Sequence, residues 1–537
     1  MGQNFVTAEH DQLFLLPPDA REWLPGRHLA WAVLEAAGEL EMAPFTTWYR
    51  ADGQGRPAYH PRLMVGLVMY CYCKGIRSSR AIEMATFDDV GARVICGNLH
   101  PDHATVARFV SHHETAVKGL LVQSLVACAA QGLVSVDVVA GDGTKVKASA
   151  SMAANATAAQ LEVEIGELEA LLAAEVEAWF AQAQAAEDAE DALFGDGDGD
   201  GGPEGGGGTM TLARLTDKIV RRQKAKAKLD AEEQARRAQA EAARLEKIAR
   251  LERRVARHQA AAAREEAVAA ARVAGYQARA AAKAAAGSRK RPDGRVPVPP
   301  DRHVVVRRKR AAAAKAQQAL AQAKAAPPAA RPGKPPKASP ADPASGVMPA
   351  KKGGFDQLHN VQALAGRHQV IYAIGTHGNP TDRGALHPLL QAGRANLDAA
   401  GLRDPIGKAL FDAGYASEDN FTTACEPELY VAITKEARQT GRLRDGHKPA
   451  TMKESWQHMA ARLDAPEGKA LYRQRAGIIE PVFAQLFARL GRDLHYRDTK
   501  ADLELHLWAA SHNLLKAIRA RARRAAATPA ATPVPAC

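Results

Sequence analysis

The spacing of apolar residues divides the chain into three regions. From residue 1 to about 132, apolar residues recur at helical intervals, as in HLAWAVLEAAGEL and PRLMVGLVMYCYCKG. Ser78 or Ser79 and the pair Pro101-Asp102 are typical helix starts. We therefore predict an all-α N-terminal domain, with short helices and tight turns of the kind that form a helix-turn-helix.

The region from about 151 to 350 consists largely of Ala, Arg, Lys and Glu. Apolar residues recur there every three or four positions in two stripes: Leu161, Ile165, Leu168 and Leu172, then Leu245, Ile248, Leu251 and Val255. These stripes predict long helices that pair in a coiled coil or hairpin. GDGDGDGGPEGGGG and PPAARPGKPPKASPADPAS predict a flexible hinge and a disordered linker. The first resembles the start of a calcium loop, but Gly207 stands where the ligating Glu belongs, so we predict no calcium site.

Strand and helix patterns alternate in residues 133–150 and again in 351–524. VSVDVVAG, FDQLHNVQALAG, HQVIYAIGT, GKALFDAGYAS and LYVAIT read as strands, the second and third around a turn at Ala365-Gly366. TDRGALHPLLQAGRANLDAAG reads as a helix capped by Thr381 or Asp382. GKALYRQRAGIIEPVFAQLFARLG reads as one helix that Pro481 bends or restarts. The order predicts a mixed α/β sheet, interrupted by the 151–350 insertion and followed by a disordered tail at 525–537.

Charge and cysteine content narrow the functional classes. The net charge of +12 predicts affinity for a polyanion such as nucleic acid. The six cysteines form no C-x-x-C pair, so we predict free thiols in a reducing compartment and no cysteine metal site. No segment reads as a signal peptide or a membrane span, which predicts a cytoplasmic protein.

Three carboxylates form the candidate reaction centre. Asp142, between Gly141 and Gly143, is predicted to end the first strand; Asp412 ends a later strand, and Glu480 lies on a late helix. Crossover connections bring strand ends together, and the two glycines would leave room for a phosphate backbone. Such acids could hold two Mg²⁺ or Mn²⁺ ions about 3.5–4 Å apart. The alternative is that Asp-Gly-Thr is only a turn between strands.

Several segments resemble the DDE transposases of bacterial insertion sequences, in particular insertion-sequence group eleven-eighty-two with its InsH-like N-terminal domain. The catalytic segments are GDGTKVKASAS, LFDAGYASEDN, ALYRQRAGIIEPVFAQL and ASHNLLKAI, and the N-terminal ones are LFLLPPDAREWLPGRHLAW, GRPAYHPRLMVGLVMYCYCKGIRSSR and LHPDHATVARF. The resemblance covers nearly all of the chain outside about 155–335. Phe487 departs from it, because the group usually has a lysine there, which Arg489 or Arg492 could replace.

The resemblance implies an RNase H-like catalytic domain that cleaves and joins DNA. It implies metal-binding roles for Asp142, Asp412 and Glu480, and contacts of Tyr472 and Arg475, on one helix face, with the phosphate or the terminal bases. It also implies a homodimer acting on double-stranded DNA at transposon ends and target, in association with the bacterial nucleoid. The basic residues that we predict to contact DNA are Lys145, Arg489, Arg77, Arg80 and Arg108.

Two other functions compete with this interpretation. A phosphatase with an aspartate nucleophile would need an acid where this chain has Ala140, so that chemistry lacks its reacting group. A non-catalytic or decayed transposase-derived DNA-binding protein would show the same charge and helical insertion. The three acids favour the enzyme.

Overall fold

The fold is described from a computed structural model of the chain. The description covers residues 22–47, 49, 58–194, 208–286, 290–292, 294–327, 335–350, 353–434, 442–445 and 448–527. The predicted hinge and the calcium-like loop fall almost wholly outside these residues. Two compact units emerge: a sheet unit within 1–156, 179–222 and 338–537, and a helical unit of 157–178 and 223–337.

The N-terminal part of the sheet unit is all helical, as predicted. Its helices are α1 (Leu29–Glu39), α2 (Ala43–Thr46), α3 (Pro61–Lys74), α4 (Ser79–Asp88), α5 (Val90–Ile95), α6 (His103–His112) and α7 (Glu114–Ala130). Side chains cap several of them: Ser78 accepts from Ala81 N–H, and Asp102 accepts from Thr105 N–H. Gly75 ends α3 at φ 86°, a left-handed conformation that favours glycine.

One mixed sheet forms the centre of the unit. Its strands are β1 (Val138–Lys147), β2 (Gly346–Pro349), β3 (Phe355–Gly366), β4 (Ile371–His377), β5 (Lys408–Phe411) and β6 (Glu428–Val431). The order is β2-β3-β1-β5-β6, with β4 also paired to β3. β1 is antiparallel to β3 and parallel to β5, and β5 is parallel to β6. A separate hairpin joins β7 (Arg442–Asp445) to β8 (Lys448–Thr451).

The first strand extends further than the sequence predicted. β1 continues through Asp142 to Lys147, and Asp142 pairs with Ala363 of β3. The prediction that Asp142 ends the strand is therefore wrong, and so is the alternative that Asp-Gly-Thr is a turn. Pairing with β3 over nine positions stabilises the extended backbone on both sides of the acid.

Helices of the C-terminal half cover the sheet. They are α11 (Leu386–Ala399), α12 (Glu418–Thr422), α13 (Glu454–Asp464), α14 (Pro466–Tyr472), α15 (Gln474–Leu490) and α16 (Lys500–Ala527). The helix predicted around Pro481 is two helices that break at Arg473, and Pro481 lies inside the second. Proline cannot donate to the carbonyl of Gly477, four residues earlier. The side-chain amide of Gln369 donates to that carbonyl instead, at 3.1 Å.

The N-terminal helices and the sheet share one hydrophobic core. The buried Asn513 of α16 connects them: its side chain accepts from the N–H of Ile371 and donates to the carbonyl of Ile371 on β4 and to the Ser124 hydroxyl on α7. The Sγ of Cys128 lies 3.3 Å from the Asn513 carbonyl. Each described cysteine is a free thiol, as predicted.

The helical unit contains parts of α8 (Ala158–Phe194) and α9 (Gly208–Ala285), together with α10 (Val304–Ala325). Ion pairs join Glu266 to Arg310 and Glu252 to Lys324, so α9 and α10 run antiparallel. The buried residues between them recur mostly at intervals of seven: Val255, Ala262 and Ala269, then Val306, Ala313, Ala316 and Ala323. Leu245 does not belong to this stripe, because it is exposed. The coiled coil itself stays a prediction.

The chain returns from the insertion through an ordered segment. Ala156 and Ala338 exchange both backbone hydrogen bonds at 3.0 Å. Asp342 is fully buried; its carboxylate lies 2.9 Å from His359 Nε2 and accepts from the N–H of Asp498. The predicted disorder is therefore wrong for this part of the Pro-rich linker. The predicted tail overlaps the end of α16, and residues 528–537 lie outside the description. No described helix combines the length and hydropathy that crossing a membrane requires.

Candidate catalytic site

Strand register places Asp142 beside Asp412. Ala140 of β1 pairs in parallel with Leu410 of β5, and the two acids each lie two residues further along. Adjacent strands are about 4.8 Å apart, so the two carboxylates are neighbours. Burial raises the pKa of Asp142, and the charge of Asp412 raises it further, whereas Arg475 lowers it; the net shift is upward. The site thus holds two like charges close together.

The flanking glycines make room for protein side chains rather than for DNA. A Cβ on Gly141 would lie 2.2 Å from the Phe411 ring. A Cβ on Gly143 would lie 2.5 Å from the amide nitrogen of Gln362 and 2.7 Å from Asp382 Oδ1. The prediction that these glycines admit a phosphate backbone is therefore wrong. They allow the side chains around the acids to pack against the strand.

Asp382 is a third acid at this site, and the sequence interpretation missed it. Its Oδ1 accepts from the side-chain amides of Asn360 and Gln362, each at 2.8 Å. A Cβ on Gly414 would lie 2.9 Å from Asp412 Oδ1 and 3.2 Å from Asp382 Oδ2, so both carboxylates border the same point. Asp382 does not cap α11, which begins at Leu386 after Ala385 without a side-chain cap. The signal available was the segment ADPASGVMPAKKGGFDQLHNVQA, which resembles the entry to the second strand of the DDE transposases and aligns Asn360 and Gln362, the two residues that contact Asp382.

Arg475 approaches Asp142 from α15. Its Nη1 lies 3.4 Å from Asp142 Oδ2. Burial lowers the pKa of Arg475, but Asp142 and Tyr472 raise it above its ordinary value, so the guanidinium stays charged. The Tyr472 hydroxyl donates to the carbonyl of Phe411 at 3.2 Å. Tyr472 ends α14, so the two residues lie on successive helices and not on one helix as predicted.

Glu480 lies on α15 but does not join the two aspartates. Its side chain is exposed, and no hydrogen bond or ion pair connects it to any described residue. It follows Arg475 by five residues, which places it about 140° further around the helix axis. Within the described residues, no group of three His, Cys, Asp or Glu side chains is arranged to hold a metal ion.

The predicted DNA contacts divide into two groups. Lys145, Arg77 and Arg489 are engaged within the protein. Lys145 Nζ donates to the carbonyl of Pro380 and lies 3.8 Å from Asp382. Arg77 pairs with Asp493 and the buried Glu504, and its side chain is only 8% exposed. Arg489 donates to the Ser511 hydroxyl, and burial lowers its pKa.

Arg80 and Arg108 form the second group. They lie on α4 and α6, and both side chains are exposed. Neither has an ion pair with a described residue, so both stay predicted DNA contacts. At the position of the usual lysine, Phe487 stacks on Phe483, and the Arg492 guanidinium lies 4.3 Å from the Phe487 ring centroid. A cation is therefore present beside this position despite the substitution.

Two segments of the chain match families of transposase domains. Residues 18–112 match a family described as a transposase domain, DUF772, and residues 332–515 match the transposase DDE domain. No curated protein and no solved structure gave a significant match. The resemblance to DDE transposases is thereby confirmed, whereas the insertion-sequence group stays a prediction.

The DDE match begins in the last residues of the insertion. Asp382, Asp412, Arg475 and Glu480 lie inside it, but Asp142 lies far upstream of residue 332. The sheet resolves this separation, because β1 is inserted between β3 and β5 of the matched segment. A DDE domain implies an RNase H-like fold, and the observed mixed sheet is consistent with it. The helical insertion thus separates Asp142 from Asp382 and Asp412 in sequence but not in space.

Proposed function

We propose that the chain is a transposase that binds the terminal inverted repeats of an insertion sequence, cuts a DNA strand there and joins it to target DNA. The observation that carries the proposal is the adjacency of Asp142 and Asp412 on parallel strands of a DDE-family sheet. In the first step, water attacks the phosphorus at the element end, the P–O3′ bond breaks and a 3′-hydroxyl is released. In the second, that hydroxyl attacks a target phosphorus and displaces the target's own 3′ oxygen.

The donor set suits a divalent cation. Asp142 and Asp412 offer carboxylate oxygens, the ligands that Mg²⁺ and Mn²⁺ prefer, and their mutual repulsion favours a cation between them. Asp142 and Asp412 would hold it, with Glu480 as a further ligand if α15 turns toward them. When bound, such an ion activates the attacking oxygen and stabilises the leaving one.

The chain's own residues have separate roles in this proposal. Arg475 offsets the charge of Asp142 through its Nη1 at 3.4 Å, and its guanidinium is the donor type that recognises a DNA phosphate. Tyr472 fixes the backbone just before Asp412 through its bond to Phe411. Asp382, held by Asn360 and Gln362, adds negative charge beside Asp412 and orients Lys145.

One observation favours a non-catalytic DNA-binding protein: Glu480 is exposed, and it forms no metal-binding group with the aspartates among the described residues. A cleavage assay decides between the two functions. DNA carrying the element ends is incubated with the protein and Mg²⁺, alongside the Asp142→Asn variant and the control Asp137→Asn. Asp137 lies on the same segment and pairs with Arg367 at the surface. We expect the parent and the control to cut and Asp142→Asn to lose cutting; equal cutting by all three would exclude this active site.

A further inference from the structure

A second charged site lies near the start of β1, beside Leu133 and the β3–β4 turn. A cavity of about 240 Å³ is lined by Leu133, His368, Gln485, Lys516, Arg519, Ala520 and Arg523. We call it the α16 pocket. One water molecule occupies about 30 Å³ of liquid, so the cavity can hold a group several times larger.

The cations of the α16 pocket lie along one stripe of α16. Lys516, Arg519 and Arg523 are separated by three and four residues, which places them on the same helix face. The buried His512, one turn earlier, contacts the Gln369 carbonyl at 2.8 Å. Burial together with the neighbouring Lys516 holds the pKa of His512 at about 3, so it adds no charge.

No described carboxylate neutralises this stripe. Burial lowers the pKa of Lys516, and Arg519 and Arg523 lower it further, whereas the one neighbour acting the other way is the Cys128 thiol. Lys516 donates only to the neutral side chain of Gln369, and Arg519 and Arg523 have no ion pair within the described residues. Like charges concentrated around a cavity favour an anion.

The other arginines of the same helix show that partners are available when the fold uses them. Arg521 pairs with Glu35 at 2.6 Å and also lies near Glu39. Arg524 donates to the carbonyls of Ala130 and Gln131. Among contacts with described residues, the arginines of α16 that lack such partners are the two that face the cavity, Arg519 and Arg523, which distinguishes the α16 pocket from a generally basic helix surface.

We propose that the α16 pocket binds a backbone phosphate of DNA. Two guanidinium groups and an ammonium group present planar forks and a point charge, the donors that recognise phosphate. β3 continues three residues beyond Ala363, the partner of Asp142, and His368 lies in the turn that follows, so the pocket is at least on the order of 10 Å from the acids at about 3.3 Å per residue. A strand bound at the acids reaches that distance in about three nucleotides. The identity of the ligand as DNA rests on the proposed function.

The test is equilibrium binding of a fluorescent DNA duplex of about 30 base pairs, in EDTA, over a range of salt concentrations. The Arg519→Gln/Arg523→Gln variant is compared with the parent and with Arg253→Gln/Arg254→Gln, which removes two exposed arginines from the helical unit. We expect the pocket variant to bind about tenfold more weakly and its log–log salt slope to fall by about one. The control should match the parent. Unchanged affinity and slope in the pocket variant, or an equal loss in the control, would overturn the proposal.

Two further measurements identify the cause of any loss of DNA binding: the melting temperature with and without inorganic phosphate, and DNA binding by Asp142→Asn. The pocket variant should melt at or slightly above the parent's temperature, because it removes repulsion from exposed positions. If inorganic phosphate raises the melting temperature of the parent and not of the variant while both bind DNA equally, the pocket takes a free anion and the proposal is wrong. Asp142→Asn should bind DNA like the parent. Pocket-dependent binding without any cutting would therefore contradict the proposed function alone.

Discussion

The two units bury their apolar residues in different ways, and the candidate catalytic acids lie in the unit whose core is formed by residues distant in sequence. In the sheet unit, residues distant in sequence pack around a continuous core, and strand register sets the distance between Asp142 and Asp412. In the helical unit, small residues such as Ala262 and Ala313 line antiparallel helices, and charged side chains pair across the surface. We therefore expect that adding a single methyl group inside the sheet unit destabilises the fold, whereas the same addition on a helix of the helical unit does not. The following predictions test that contrast and the site that the sheet unit positions.

The largest expected effect is on stability at the strand of the first acid. Gly141→Ala places a Cβ 2.2 Å from the Phe411 ring in the packed sheet. We expect a loss of about 3 kcal/mol in the free energy of unfolding, measured by denaturant titration. The control is Gly166→Ala in α8, where nothing lies within 4 Å of the new Cβ. That change should stabilise by about 0.5–1 kcal/mol, because alanine favours helix. Similar changes in the free energy of unfolding at both glycines would contradict the proposed difference in packing between the two units.

A somewhat smaller effect is expected where the chain returns to the sheet. Burial raises the pKa of Asp342, but the hydrogen bond and charge of His359 outweigh it and hold the pKa below its ordinary value of 3.8. The carboxylate therefore stabilises the fold above pH 3.8, and this contribution is lost as the pH falls through the lower, folded-state value. Asp342→Asn should lose about 2 kcal/mol at pH 7. The difference in melting temperature between parent and variant should shrink steadily below pH 4. A difference that stays constant would show that the ionised Asp342 carboxylate is not what stabilises the fold.

Asp382→Asn tests the acid that the sequence interpretation missed. The amide keeps the shape that Asn360 and Gln362 contact but removes the charge beside Asp412. We expect DNA cleavage to fall about 10–100-fold, as for residues that support a metal site, with little change in melting temperature. Asp398→Asn on α11, which removes an exposed carboxylate paired with Arg394, is the control and should cut normally. Normal cutting by Asp382→Asn would restrict Asp382 to a structural role.

The smallest effect on stability is expected from removal of the whole helical insertion. Ala156 and Ala338 are already paired by two backbone hydrogen bonds, so a short turn can replace residues 157–337, including the segment 179–222 that groups with the sheet unit. Because a shorter loop costs less entropy to close, the free energy of unfolding of the sheet should stay the same or rise slightly. Calorimetry of the shortened chain measures this. Loss of the cooperative transition would mean that the sheet depends on the insertion.

Sequence patterns located the strands and the first two acids because these depend on local features. The alternation around Val138 and the sequence FDAGY are both short-range, and β pairing then places Asp142 and Asp412 together. Asp382 was misassigned because its partners lie about twenty residues away on β3, and only the fold brings them together. The exposure of Leu245 and the burial of Asp342 likewise depend on which helix or strand packs against each residue. Local spacing does not encode that choice.

The measurement that tests the central claim most directly is product analysis after incubating the protein with element-end DNA, a target plasmid and Mg²⁺. The account predicts new 3′-hydroxyl ends and molecules joined to the plasmid with the parent, and neither product with Asp142→Asn or Asp412→Asn. Joined products at the parent's level from either variant would show that these aspartates do not catalyse the reaction. Absence of both products with the parent, despite DNA binding, would make the chain a DNA-binding relative of the transposases.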